Sequence, residues 1–218
     1  MTNEIKILTG IVVGTILIVV AGALTMGGKS SPNKQENTVV DKKILIHGDS
    51  HKLGPDKSKV TLVEFGDFQC PACGASYPIV SRLLLEYKGK ITFVFREFPL
   101  PVHENAKTAA YAAEAAGAQG KFFEMYDKLY SFQRDWGESK NARNYFDKYA
   151  KELKLDVAKF KKDIDDKKYD AKIQNDINDG NTAGVGATPT FFINGKPQVG
   201  GLPYDEFKTK IEEALKSS

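Results

Sequence analysis

The sequence predicts an α/β fold organised around one closely spaced pair of cysteines. Three observations lead there. A β-branched, apolar run at residues 60–65 is followed by Cys70-Pro71-Ala72-Cys73, a helical pattern and a second apolar run at 91–98, which together make a strand, helix, strand crossover unit. The period then turns helical from Pro99 to Val185. Beyond it, two short apolar runs flank Asn194-Gly195, a dipeptide that signals a hairpin.

The chain has 218 residues, and residues 7–28 carry no charged side chain. At about 1.5 Å per residue such a run crosses a hydrocarbon core of roughly 30 Å. It also lacks the polar face of a helix packed in a soluble core. Residues 1–28 are therefore expected to be a transmembrane anchor or a signal peptide. Ala21-Gly22-Ala23 offers a small-residue cleavage site, but the apolar length exceeds a typical signal core and favours an uncleaved anchor. Residues 29–41, rich in Ser, Asn, Lys, Gln and Pro, read as a linker. The remainder fits one domain.

The net charge of +3 is small, and lysines alternate with acids in runs such as Lys161-Lys162-Asp163-Ile164-Asp165-Asp166. That is a solvated helix surface, and no nucleic-acid partner is expected. Only two cysteines occur, Cys70 and Cys73. A small domain stapled by disulfides carries more, spread along the chain, so this pair is a local device.

Taken in order, Ile44-Leu45-Ile46-His47 reads as a short strand ended by the Gly54-Pro55-Asp56 turn. Residues 60–65 have the length of a buried strand. A helix is expected over 70–88: Pro71 suits its first turn, Tyr77, Val80, Leu84 and Tyr87 recur at helical spacing, and Pro78 should kink it. Residues 91–98 form the next strand. The Ala-rich 106–116, then Phe122, Met125, Tyr126, Leu129 and Tyr130, then Tyr145, Tyr149 and Leu153, then Val157, Phe160 and Ile164 behind an Asp156 cap, form helical stripes. Their spacing is explained by packing, and no cofactor is expected. Residues 190–193 and 196–199 are strands joined at Asn194-Gly195, and Pro203 opens a terminal helix with Phe207, Ile211 and Leu215 on one face.

Thiol-disulfide exchange needs one thiolate to attack and a second thiol close enough to close the ring. A cysteine at a helix N-terminus has its pKa lowered by free amides and the helix dipole. Cys70 holds that place as attacker, and Cys73 is the resolving thiol. Two other readings use the same residues. A lone Cys-x-x-Cys is half a zinc site, for which His47 and His51 are spaced as further ligands, giving a zinc-stabilised binding module. The strand and helix flanking the pair argue against such a knot. A structural disulfide is the other, but a ring this small constrains the unfolded chain only slightly.

The stretch Phe65-Gly66-Asp67-Phe68-Gln69-Cys70-Pro71-Ala72-Cys73-Gly74, followed by Pro78 and, much later, Ala187-Thr188-Pro189-Thr190-Phe191, resembles the bacterial DsbA-like thiol-disulfide oxidoreductases of the thioredoxin superfamily, in their membrane-anchored branch. The likeness runs over residues 41–216 and includes Arg96-Glu97-Phe98-Pro99-Leu100-Pro101-Val102-His103. It implies a thioredoxin-like fold with an inserted helical subdomain: a first part at 42–99, the insertion at 100–180 and a second part at 181–218. It also implies a cis bond before Pro189, with Pro189 against the cysteines and the Thr188 backbone offered to an extended substrate. Glu64 occupies the place where that superfamily keeps a buried acid, and its carboxylate is expected to take the proton of Cys73. No metal ligand is expected. Ala72 departs from the best-known family pattern: it offers no hydrogen bond or charge to Cys70, so a milder oxidant is expected. His47, His51 and His103 are expected at the surface or in caps.

The expected function is donation of disulfides to unfolded or newly exported proteins, with a membrane partner reoxidising the pair. A reductase or isomerase using the same cysteines is the alternative. The expected location is the cell membrane, single-pass, with the catalytic domain extracytoplasmic, or secreted if the signal is cleaved. Lys29, Lys34, Lys42 and Lys43 after the anchor, against Lys6 and the amino terminus before it, would leave the domain in the cytosol by the positive-inside rule. The chemistry demands an oxidising compartment, which outweighs that count.

Overall fold

The computed structural model describes residues 39–217. They open on one helical turn, α1 (Lys42–Leu45), where a strand is predicted from the apolar run 44–47. The difference has a physical cause. Asp41 caps the turn by accepting from the Lys43 N–H at 2.8 Å, and the Arg96 guanidinium donates to the carbonyls of Ile44 and Leu45 at 3.1 and 2.8 Å. Those are acceptors that a helix C-terminus leaves without partners.

Strand β1 (His51–Leu53) follows, then β2 (Val60–Gly66), helix α2 (Pro71–Glu86) and β3 (Ile91–Glu97). β2 and β3 are parallel, Val60 opposite Ile91 and Gly66 opposite Glu97. Pro78 sits inside α2, which runs through it without a break. Six helices then lie before the next strand: α3 (Ala106–Gly117), α4 (Phe122–Ser131), α5 (Gln133–Trp136), α6 (Ala142–Glu152), α7 (Val157–Asp165) and α8 (Asp170–Thr182). Asp156 caps α7 as predicted, accepting from the Lys159 N–H at 2.9 Å. β4 (Thr190–Ile193) and β5 (Lys196–Val199) form the hairpin, and α9 (Tyr204–Lys216) closes the described chain. Asn194 and Gly195 have φ of 48° and 81°, the left-handed pair that a two-residue hairpin turn requires. The sheet order is β1-β3-β2-β4-β5, with β4 antiparallel to β2.

Side chains alternate across the sheet. On one face Leu62, Phe93, Phe95, Phe191 and Ile193 join a core with Val80 and Leu83 of α2, the helical block and Phe207 and Ile211 of α9. On the other, Val63, Phe65, Val94 and Phe192 meet Leu45, Phe98 and Val185. Both faces are covered, so β2 and β3 are nearly continuous apolar runs. The fully buried Arg96 ties the second face together: Nε donates to Asp176 at 2.8 Å and Nη2 to Asp179 at 2.5 Å.

The predicted anchor or signal at 1–28 and the linker as far as residue 38 lie outside the described residues. The linker's last residues join the sheet's margin, where the Val40 N–H donates to the Gly195 carbonyl at 2.9 Å. Among the described residues no helix is long and apolar enough to cross a membrane.

Candidate active site

Between the end of β2 and the start of α2, residues 67–70 turn the chain. Asp67 organises this turn with its buried carboxylate, which accepts from the Gln69 N–H at 2.7 Å and the Leu100 N–H at 2.9 Å and lies 2.6 Å from His103 Nδ1. The Cys70 N–H donates to the Asp67 carbonyl at 3.1 Å. Two glutamines fasten the turn to the helical block. Gln69 donates to the Gly137 carbonyl at 2.7 Å and accepts from the Asn105 N–H at 2.6 Å, while Gln133 donates to the carbonyls of Phe68 and Cys70 at 2.7 and 2.9 Å. Such shared donors leave the cysteine loop little freedom.

Cys70 is the N-cap of α2, with Pro71 next, so the first free amides of the helix belong to Ala72 and Cys73. Both cysteines are free thiols, Cys70 7% exposed and Cys73 fully buried. The Cys70 thiol donates to the Thr188 carbonyl at 3.4 Å. The Thr188–Pro189 bond is cis, as the resemblance implied. The hydrogen bond from Cys73 is the largest influence on the Cys70 thiol. Against the opposing effect of burial, it is joined by Thr188 and by the Cys73 and Ala72 amides, and together they lower the thiol from 9.0 to about 5. Cys73 moves the other way: burial first, then the bond to Cys70 and the nearby Glu64 carboxylate, hold it well above an ordinary thiol.

Glu64 is 1% exposed on the face of β2 that looks toward α2 and the helical block. Burial pushes its carboxyl up to about 8, opposed by a hydrogen bond from the Tyr126 hydroxyl at 3.4 Å and reinforced by the charge on Cys70. The five residues expected to form the site are thus brought together, with Cys70, Cys73, Thr188 and Pro189 around the start of α2 and Glu64 in electrostatic reach of both sulfurs. The histidines are more engaged than expected. His51 stacks on Phe122 with centroids 3.6 Å apart and lies 2.9 Å from Glu114, and His47 is 3.3 Å from Asp179. Among the described residues no group of three or more His, Cys, Asp or Glu side chains is placed to hold a metal ion.

A family model described as Thioredoxin matches residues 47–213. The chain belongs to the thioredoxin family. Among curated relatives, a protein named Na(+)/H(+) antiporter NhaA 1 from Salinispora arenicola is 37% identical over 179 residues, 81% of this chain but 26% of its own length. The chain therefore spans about a quarter of that relative. The "Probable disulfide bond formation protein D" of Bacillus cereus is 29% identical over 95% of both chains. Among solved structures, oxidised BdbD from Bacillus subtilis superposes with a TM-score of 0.69 at 27% identity, covering 76% of this chain and 92% of that one.

Four side chains that shape this thioredoxin site escaped the sequence reading: Asp67, Gln69, Tyr126 and Gln133. Asp67 and Gln69 left one signal, two polar residues inside an otherwise apolar approach to the cysteines. Tyr126 and Gln133 left none, since a stripe position and a surface-type residue gain their roles only through the packing of α4 and α5 on the loop.

Proposed function

We propose that this chain is a thiol-disulfide oxidoreductase that passes a Cys70–Cys73 disulfide to unfolded or newly exported proteins. The observation that carries the reading is the split between the two thiols, Cys70 lowered to about 5 and Cys73 raised. Stabilising the thiolate stabilises the reduced pair, which makes the disulfide an oxidant.

A substrate thiolate attacks Cys70 Sγ, the Cys70–Cys73 bond breaks, and Cys73 departs with the electron pair. Buried Cys73 is costly as an anion, and Glu64, about half protonated near pH 8, supplies the proton. A second substrate thiolate then attacks the substrate sulfur of the mixed disulfide and releases Cys70 as a thiolate. Two electrons have moved from the substrate dithiol to the pair. Pro189 and the Thr188 backbone form the ledge on which an extended substrate pairs edge-on.

The uncharged apolar run at 7–28 supports a membrane-tethered domain, and the exchange chemistry, which needs an oxidising compartment, supports its place outside the cytosol, where a membrane partner reoxidises the pair. The test is direct: the oxidised protein is mixed with a reduced, unfolded protein containing cysteines. Disulfides are expected in the substrate at the expense of the Cys70–Cys73 bond, and none with Cys70→Ser. If the substrate stays reduced while the reduced protein cleaves substrate disulfides, the reductase alternative replaces this reading. Zinc co-purifying in stoichiometric amount with the thiols blocked would instead favour the binding module. A reporter fused after Ser218 tests the location, and activity in the cytosol contradicts it.

A further inference from the structure

We propose that Tyr126 is a positioning residue for proton exchange at Cys73, its phenol holding the Glu64 carboxylate so that the helical block supplies part of the acid-base unit. This rests on the reading of Glu64 as the group that trades a proton with Cys73.

The geometry is specific. Tyr126 sits on α4, 3% exposed, with its hydroxyl 3.4 Å from Glu64 Oε2. Its ring is hemmed in by Tyr130 at 4.9 Å, Phe95 at 5.2 Å, Tyr77 at 5.7 Å and Phe68 at 5.9 Å between centroids. A donor walled in by four rings keeps its aim without reorganising during the reaction. Opposite Glu64 in the sheet register stand Phe95 and Phe191, both apolar. The titratable groups facing the site are Cys70, Cys73 and Tyr77 from α2 and its cap, Tyr126, Asp127 and Tyr130 from α4, and Asp67 from the loop.

Consequences follow from simple acid-base logic. A proton carrier works best when both of its forms are populated near the working pH. Burial drives Glu64 toward the neutral acid, and a donor to the carboxylate pulls it back. Tyr126 is itself pushed well up by burial, so it stays a donor across the range in which Glu64 titrates. Tyr130, one turn along α4, supplies an internal comparison: its hydroxyl is buried and without a hydrogen-bond partner.

The experiment is stopped-flow oxidation of the reduced protein by dithiobis(nitrobenzoate), followed as a function of pH. Cys70 attacks first, breaking the aromatic disulfide and releasing one coloured thiolate. Cys73 then gives up its proton, attacks Cys70 Sγ in the mixed disulfide, and releases the second. In the unaltered protein the second phase is expected to rise through the Glu64 midpoint, which is about 8 in the reduced protein and lower in the mixed disulfide, where the Cys70 charge that helps raise it is gone. Tyr126→Phe is expected to move that midpoint up by about half to one pH unit, the effect of losing one donor to a carboxylate, and to leave the first phase unchanged. Tyr130→Phe is expected to move neither. A fluorinated tyrosine at position 126, a stronger donor of nearly the same shape, is expected to move the midpoint down. Glu64→Gln separates the two claims. If it leaves the second phase unchanged, the Glu64 reading fails. If it removes the pH-dependent rise while both changes at position 126 leave the midpoint fixed, the role of Tyr126 is overturned.

Discussion

The Cys70 thiol donates to the Thr188 carbonyl across 3.4 Å, although the two residues are 118 positions apart. The link is set by the sheet, because β4 pairs with β2 so that Thr190 lies opposite Phe65. The segment before β4 is thereby laid against the start of α2. A reactive sulfur and the backbone proposed to receive substrate come from opposite ends of the domain.

Reactivity follows from this arrangement. Alkylation of the reduced protein is expected to modify Cys70 with a midpoint of about 5, while Cys73 stays protected until the protein unfolds. Cys73→Ser is expected to accumulate mixed disulfides and Cys70→Ser none. Equal rates at both cysteines, tracking an ordinary thiol, contradict the assignment.

Thr188 has a second part in the site: it lowers the Cys70 thiol, and its buried hydroxyl, which has no hydrogen-bond partner, is left to donate to Cys70 once that sulfur ionises. Thr188→Val is expected to raise the Cys70 midpoint by about half a unit to one unit, read from thiolate absorbance across a pH titration. An unmoved midpoint assigns the lowering to the helix amides and Cys73 alone.

Much of this was legible in the residues. Val60 to Phe65, the Cys70-Pro71-Ala72-Cys73 turn and Asn194-Gly195 announced the central strands because each carries a local signal. β1 was not legible: His51-Lys52-Leu53 is short and mostly polar, and becomes a strand only because Phe93 to Phe95 offers an edge. α1 was misread for the matching reason. Its apolar residues fit a strand, and only Arg96, brought from β3, satisfies the carbonyls of a helical turn. The donors around Cys70 and Glu64 are likewise products of packing that no spacing encodes.

Arg96 is expected to be a major support of the fold. Its removal takes the guanidinium from the buried Asp176 carboxylate, leaving it the Glu97 N–H and Lys172, and Arg96→Ala is expected to cost about 3–5 kcal/mol in denaturant unfolding, the range for breaking a buried pair. A loss below about 1 kcal/mol would place it with surface pairs.

The depressed Cys70 thiol also ties stability to pH in the reduced form only. Its value is lower folded than unfolded, so its contribution is full above the unfolded 9.0, persists in part at neutral pH, and is lost as pH falls through about 5. Denaturant unfolding near neutrality is expected to show the reduced protein more stable than the oxidised one, with the gap closing at acid pH. A gap independent of pH would mean that Cys70 does not create it.

The reduction potential of the Cys70–Cys73 pair, measured by equilibration with glutathione, tests the central claim most directly. A disulfide donor whose Ala72 side chain adds no charge or hydrogen bond is expected between about −180 and −120 mV, milder than the strongest exported oxidants. A value near −270 mV, roughly that of a cytosolic reductant, would contradict disulfide donation and make the pair a reductant.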